Sequence, residues 1–358
     1  MFAYILKRIL LMIPTLFGIM LLNFAIVQVA PGGPVEQLMM QLENGGKVNS
    51  TARFSGGGGE VAAPSSDYRG RRGLDPEIVE QIKKTYGFDK PAPERFYDMV
   101  VKYAQFDFGT SFFQDKTVVQ LVKDKMPVSI SLGVWSTLLV YIISIPLGIR
   151  KAMVDGSKFD VVSSFILVVC NAIPAFLIAI VLITLFAGGN YWDIFPLRGI
   201  VSDDWQEMST FALIKDYFWH MALPIFAMTI GGFAVLTMLT KNSFLDEISK
   251  QYVLTARAKG LSEREVLYRH VFRNAMLIVI SSFPAVLVGM LFAGALLIEV
   301  IFSLDGLGLL SYEAVISRDY PVFFGTLYVF TLIGLVMGLV RDLTYRMIDP
   351  RIDFETRG

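Results

Sequence analysis

Six stretches of this chain are apolar for about 20 residues each, the length that crosses the hydrocarbon core of a bilayer. They cover residues 9–29, 127–149, 161–187, 221–240, 275–298 and 322–340. None of them contains Asp, Glu, Lys or Arg. A pattern this long and this uniform predicts an all-α integral membrane protein with six transmembrane helices.

The orientation follows from the Lys and Arg residues, which concentrate in segments 150–160 and 241–274 and in the tail 345–358. The segments between the third and fourth spans and between the fifth and sixth spans hold few of them. Because short cytoplasmic loops carry the excess of Lys and Arg, we expect both termini to be cytoplasmic. The long segment 30–126 then lies outside.

The external segment 30–126 has two parts. Residues from about 43 to 73 are rich in Gly and Ser, with four consecutive glycines starting at Gly56. Such a composition predicts a flexible insertion. After it, Asp75 and Pro76 are typical of a helix start. Further helices are predicted at 93–103 and at 117–125, the latter leading into the second span. We therefore predict a small helical cap between residues 1–29, which form the N-terminus and first span, and a core of five spans over 127–344.

Composition excludes several functions. The chain is 54% hydrophobic, with mean hydropathy +0.55 and zero formal net charge, so it presents no bulk basic field for nucleic acid. Its one cysteine, Cys170, allows neither an internal disulfide nor a cysteine metal site, and we expect no metal in this chain. Ion-driven carriers need ionisable groups within the membrane, and the six spans have none. The chain also lacks a nucleotide-binding motif, so any uphill transport requires energy from another protein.

Two groups of polar residues beside prolines are candidates for lining a translocation path. Asn171 stands close to Pro174, and Ser281 and Ser282 stand close to Pro284. A polar group beside a helix kink can face a cavity that a straight helix would close. The alternative is hydrogen bonding to a neighbouring helix or to backbone carbonyls near the proline.

The basic loop within 241–274 has the most specific local pattern. Two short helices are predicted, over 251–259 and 262–274, with Gly260 between them. Ser262 and Glu265 have the spacing of a capping box. Small Ala256 and Ala258 are expected to let another surface approach closely. The apolar side of the second helix comprises Val266, Leu267 and Val271. A plain basic loop held at anionic lipid is the alternative, but it requires no such shape.

This loop, TARAKGLSEREVLYRHVFRNA from residue 255, resembles the signature loop of permease subunits of binding-protein-dependent ABC importers, in the peptide-importer branch. The family pattern is Glu-Ala-Ala, three residues, then Gly. Leu254, Thr255, Ala256 and Gly260 occupy those positions, so the acidic residue is absent. Other landmarks are similar to that branch in the same order, namely APGGP, FDFGTS, FPLRG, HMALP, GLG, RDYP and DLTYRMIDPRI. Ile278 departs from it, since proline is expected there. The Gly-rich insertion is unusual in this branch and indicates a subgroup that resembles permeases for longer oligopeptides and microcin C-like peptides.

The resemblance implies a type I ABC importer permease that forms half of a translocation path for oligopeptides. Its partners would be a second homologous permease, ABC ATPase subunits in one fused chain or two, a periplasmic solute-binding protein, a peptide substrate and membrane lipid. ATP and Mg would be bound by the ATPase, so this chain would be no enzyme and hold no cofactor. The implied ATPase contacts are Thr255, Ala256, Arg257, Ala258, Lys259 and Gly260. Two other classes remain open, a structural or receptor-like subunit and an ion-coupled carrier.

Overall fold

The computed structural model describes residues 2–29, 90–187, 191–292 and 295–348. The Gly-rich insertion and the helix predicted to begin at Asp75 lie outside these residues.

The described residues are helical apart from short connections. The helices are α1 Phe2–Val29, α2 Ala92–Ala104, α3 Val118–Met153, α4 Lys158–Ala172, α5 Ala175–Phe186, α6 Thr210–Ile248, α7 Gln251–Ala258, α8 Glu263–Glu265, α9 Phe272–Phe292, α10 Ala295–Ile301, α11 Leu307–Ser317 and α12 Tyr320–Ile348. A π-helical turn, Val266–Val271, joins α8 to α9.

The helices confirm an all-α membrane protein. Within the described residues, five helices are long and apolar enough to span a bilayer, and α4 with α5 makes up to six if this bent pair is one span. The five are Tyr4–Ile26, Val118–Met153, Thr210–Ile248, Glu263–Met290 and Tyr320–Thr344. Each apolar stretch of the sequence thus corresponds to a helix or to a pair of helices.

The third predicted span is not one helix. Helices α4 and α5 meet at an angle of 90°. Ile173 has φ −88° and ψ 121°, and Pro174 is the N-cap of α5. Proline disfavours the helical conformation in the residue before it, which explains the break. Pro146 and Pro224 instead lie inside helices α3 and α6, where membrane helices tolerate them.

The other boundaries differ less. Helix α2 confirms the helix predicted at 93–103. The helix predicted at 117–125 is not separate, since it forms the first turns of the long helix α3. The predicted span 275–298 corresponds to α9 and the beginning of α10, which begins at Ala295.

The chain divides into two compact units. The first comprises Met1–Arg8, Lys125–Leu309 and Ile333–Gly358, as far as these residues are described. It contains two clusters of buried apolar side chains. One includes Leu132, Met221 and Ile298. The other includes Phe244 and Val271 and lies beneath the candidate loop.

A buried ionic network fixes the start of α4 in this unit. The Lys151 side chain is 0% exposed, and its Nζ lies 2.9 Å from Oδ1 of Asp160. Lys151 Nζ also donates to Ser163 Oγ and Ser164 Oγ, both at 2.7 Å. Lys241 Nζ of α6 lies 2.7 Å from Oδ2 of Asp160. Since every charge faces an opposite charge, the network joins α3, α4 and α6 without leaving an isolated buried ion.

The second unit comprises Ile9–Asp124 and Leu310–Leu332, as far as described. The Tyr103 ring packs edge-on against Phe108 and Tyr328, with centroids 5.0 and 5.6 Å apart. Ser111 Oγ donates to the buried carboxylate of Asp319. These contacts join two of the landmarks singled out in the sequence, FDFGTS and RDYP.

Candidate functional site

The candidate loop begins where α6 ends and has the helix–glycine–helix shape that its sequence predicts. Helix α7 ends at Ala258, and Gly260 N donates to the carbonyl oxygen of Arg257 at 2.9 Å. Gly260 has φ +83°, and an added Cβ would meet nothing within 4 Å. Glycine is therefore favoured here by its backbone conformation rather than by lack of space.

The second half of the loop starts with the predicted capping box. Ser262 Oγ accepts from Glu265 N at 3.3 Å, and Glu265 Oε2 accepts from Ser262 N at 3.0 Å. From there the helix runs through the π-helical turn into α9. The arm that leaves the loop is thus continuous with the fifth span.

The loop packs on its own hydrophobic core. Val266, Leu267 and Val271 are buried, which confirms the apolar side predicted for the second helix. Val253 of α7 is also completely buried in the same cluster as Phe244 of α6. The loop is therefore anchored to the ends of the spans by packing, not only by charge.

Ala256 is a correction to the sequence analysis. The sequence predicts that this small side chain lets another surface approach closely, but it is 5% exposed and belongs to the loop's own core. Helical periodicity explains this, since Val253 and Ala256 are three residues apart on α7 and share one face. Thr255, Ala258 and Lys259 are exposed, as is Gly260.

Leu254 and Arg257 determine how apolar and how charged the exposed face of the loop is. Leu254 is 56% exposed, an apolar side chain beside Thr255 that the sequence analysis did not select. Arg257 is half-buried, and its Nε lies 2.8 Å from Oε1 of Glu263. The exposed face thus combines a leucine with small and basic residues, while Arg257 is already paired within the loop.

The two groups of candidate path residues have different surroundings. Asn171 and Pro174 are exposed at the bend between α4 and α5. Ser281 is buried, and its Oγ donates to the carbonyl oxygen of Ile278 at 2.9 Å. Ser282 Oγ donates to the carbonyl oxygen of Val279 at 2.7 Å and also lies 2.8 Å from the Tyr141 hydroxyl oxygen. Pro284 is buried. The serines have partners in the protein, whereas Asn171 faces outward.

A buried carboxylate that the sequence analysis left unused lies near the GLG landmark. The Glu299 side chain is completely buried. Its Oε2 accepts from Leu309 N at 2.8 Å and its Oε1 accepts from Ser129 Oγ at 3.0 Å. Ser129 Oγ in turn accepts from Leu307 N at 2.8 Å. The first amides of α11 are thus satisfied by two side chains from other helices. We call these contacts the Glu299 clamp.

A metal centre is not evident in the part of the chain that the structure describes, where no three His, Cys, Asp or Glu side chains group together. The candidate site is instead a protein surface carried by two spans.

Comparison with known proteins identifies the class of protein to which such a surface belongs. The family model for binding-protein-dependent transport system inner membrane components matches residues 144–354. The chain belongs to this family. It is an ABC transporter permease, a multi-pass inner membrane protein and the non-catalytic transmembrane component, and ATP is hydrolysed by a separate subunit.

Particular relatives match over almost the whole length. The chain is 57% identical over 366 residues to the inner membrane ABC transporter permease protein YejB of Escherichia coli O157:H7, covering 99% of this chain and 100% of the relative. It is 56% identical over 361 residues to the peptidoglycan transport system permease protein YejB of Agrobacterium fabrum, covering 99% of each chain.

A solved structure supports the fold. The MetNI methionine ABC transporter in inward-facing conformations matches with a TM-score of 0.51 and 14% identity, covering 64% of this chain and 97% of that chain. At this identity the likeness concerns the fold alone.

Proposed function

We propose that this chain forms half of the translocation path of an ATP-driven importer for oligopeptides, which a periplasmic binding protein delivers. The second half would come from a homologous permease subunit. The observation that carries the proposal is the loop, whose exposed tip packs on a buried apolar core and continues into a helix that can cross the membrane. Such a surface suits a partner that supplies mechanical energy.

Absence of charge in the spans supports an external energy source. The apolar stretches contain no Asp, Glu, Lys or Arg, whereas carriers coupled to protons or sodium ions need such groups as relays. A neutral path also suits peptides of varied sequence. We place both termini, the loop and the tail 345–358 in the cytoplasm, and segment 30–126 in the periplasm.

Peptides are the substrate class that the sequence landmarks favour. The resemblance to the peptide branch runs along most of the chain, and the Agrobacterium fabrum relative is named for peptidoglycan transport. Peptidoglycan contains short peptides, so the two lines agree on a peptide-bearing substrate. Asn171, Pro174, Ser281, Ser282 and Pro284 remain candidates for the path. Of these, Asn171 is the better placed to meet substrate because it is exposed.

Substitutions at the tip of the loop test the proposal. Gly260→Asp combines a strained φ of +83° with a new charge at the tip, and Arg257→Glu reverses a charge beside it. Both variants should abolish peptide uptake in cells while the protein stays in the membrane. Lys116→Glu is the control, because Lys116 is exposed on the predicted outer side and should leave uptake unchanged.

Two results would contradict the proposal. Normal uptake by both loop variants would remove the loop from transport and favour a structural or receptor-like subunit. Uptake that collapses when the proton gradient is dissipated, while ATP remains high, would favour an ion-coupled carrier. We expect uptake to follow ATP.

A further inference from the structure

One hydroxyl group holds the entrance and the exit of the loop together. Tyr252, in α7, donates its hydroxyl hydrogen to Oε2 of Glu247 at 2.6 Å. The Tyr252 hydroxyl oxygen also accepts a hydrogen bond from Nδ2 of Asn274 at 3.2 Å. Glu247 stands in the last turn of α6, and Asn274 stands in the first turn of α9. The hydroxyl therefore bridges the ends of the two spans between which the loop is inserted.

Neighbouring contacts close the loop at the same level. Ser243 Oγ, on α6, donates to the carbonyl oxygen of Ala275 on α9 at 2.6 Å. The rings of Phe244 and Phe272 meet edge-on, with centroids 6.0 Å apart. Polar and aromatic contacts thus join α6 and α9 at the ends that the predicted orientation places on the cytoplasmic side. We call this set of residues, with Glu247, Tyr252 and Asn274, the neck of the loop.

The chemistry of the bridge depends on the Tyr252 hydroxyl. Its single proton goes to a carboxylate, which is a stronger acceptor than a neutral oxygen. A lone pair of the hydroxyl oxygen accepts a hydrogen bond from the side-chain amide of Asn274. Glu247 is held in turn by an ion pair with Lys250. Removing the hydroxyl alone would leave the ring in place but would remove the bridge through Tyr252, so that Glu247 and Asn274 would keep only their direct side-chain hydrogen bond.

A displacement of the tip reaches α9 directly, because the arm is continuous with that span. The tip, residues 254–260, is joined to α6 only through residues 249–253 and the contacts of the neck. If the ends of α6 and α9 can slide past each other, α9 moves without α6. If they are fixed, both spans move together with the tip.

We propose that Tyr252 is a positioning residue for transport, whose hydroxyl reinforces the contacts that make the loop and the ends of α6 and α9 move together. This inference rests on the proposed function, because it assumes that an ATPase displaces the tip. It assigns Tyr252 no contact with substrate or nucleotide. Its role is to determine how much of each ATP-driven displacement reaches the spans.

Tyr252→Phe tests the inference in the complete complex, with partner permease, ATPase and binding protein, reconstituted in proteoliposomes. Peptide uptake and phosphate release are measured in the same vesicles. We expect Tyr252→Phe to keep ATP hydrolysis near the wild-type rate while the number of peptides imported per ATP falls several-fold. A purely structural role would lower both rates together.

The matched control lies in the arm of the same loop. Tyr268 is 57% exposed, and within the described residues its hydroxyl has no hydrogen-bond partner. Tyr268→Phe removes the same hydroxyl from the same residue type and should import the wild-type number of peptides per ATP. Glu247→Gln retains an acceptor for Tyr252 and should lie between wild type and Tyr252→Phe. An unchanged ratio in Tyr252→Phe, or an equal loss in Tyr268→Phe, would overturn the inference.

A distance measurement tests this inference without depending on which peptide is imported. In a Cys170→Ser background, spin labels at Ser249→Cys and Arg273→Cys, both exposed positions, report the width of the neck. We expect one narrow distance distribution in the wild-type complex with and without ATP, and a broad one in Tyr252→Phe. A narrow distribution in Tyr252→Phe would overturn the inference even if the number of peptides imported per ATP fell. Failure of the wild-type complex to import any peptide would refute the proposed function alone.

Discussion

Gly306 and Gly308 lack side chains where the Glu299 carboxylate lies against their backbone. An added Cβ at Gly306 would be 2.3 Å from Oε1 of Glu299, and one at Gly308 would be 3.1 Å from Oε2. None of the described ion pairs includes Glu299, so backbone amides and Ser129 compensate its buried polar oxygens. The amides can approach the carboxylate this closely because no Cβ intervenes.

Gly306→Ala should therefore destabilise the protein. The methyl group must displace a buried carboxylate, and overpacking of this kind costs about 1–3 kcal/mol. We expect a lower midpoint of thermal unfolding in detergent. Gly334→Ala is the control, because its Cβ would meet nothing within 4 Å in helix α12 and alanine in a helix gains roughly 0.5–1 kcal/mol over glycine. Equal midpoints for the two variants would contradict the Glu299 clamp.

At the scale of the element, local capping determines where the helices of the loop begin and end, and long-range packing determines which of their sides is buried. Gly260 ends one helix turn and Ser262 starts the next, and both effects are readable from adjacent residues. Which side of each helix is turned toward the protein interior depends on packing. Ala256 faces inward because α7 packs on Phe244 and Val271, and neither of these residues is adjacent to it in sequence.

Ser262→Ala should loosen the start of the arm. Losing the N-cap side chain costs roughly 1 kcal/mol, and 1.4 kcal/mol corresponds to a factor of ten in an equilibrium constant. We therefore expect the Glu265 amide to exchange about fivefold faster by hydrogen–deuterium exchange. Ser262→Asp retains an acceptor for that amide and should exchange at nearly the wild-type rate. If Ser262→Ala exchanges no faster, the capping box does not hold this turn.

At the scale of the whole molecule, the number of crossings depends on the bend between α4 and α5. If the bent pair crosses the membrane as one span, the described spans number six and both termini lie on the same side. If it re-enters on the side from which it came, five crossings remain and the termini lie on opposite sides. The basic segments 150–160 and 241–274 favour six crossings, because that arrangement puts both on the cytoplasmic side.

Labelling of single cysteines decides between these topologies. In a Cys170→Ser background, Asp204→Cys should react with a membrane-impermeant maleimide in intact spheroplasts. Lys259→Cys should react only after permeabilisation. Both positions are exposed in the structure, so burial within this chain does not explain a missing reaction, and expression without the ATPase removes the cover that we propose for Lys259. The reverse pattern would show that α4 and α5 form a re-entrant pair.

The sequence by itself determined the membrane class, the positions of the spans and the local shape of the loop. These features depend on short-range properties, namely runs of apolar residues, the conformational preference of Gly260 and the spacing of Ser262 and Glu265. The family landmarks added the class of transporter, while the path residues and the ATPase contacts stay predictions. Tertiary structure decided what the patterns left open. Pro146, Pro174 and Pro224 all lie in predicted spans, but of these three only Pro174 ends a helix, with the break at Ile173.

Tertiary structure also brought together groups that lie far apart in the sequence. Glu299 meets Ser129, Lys151 and Lys241 share Asp160, and Tyr252 joins Glu247 to Asn274. A polar residue in a sequence shows what it can donate or accept, but its partner is decided only when helices pack. For that reason the loop was predictable as a local structure, whereas the neck that connects it to the spans was not.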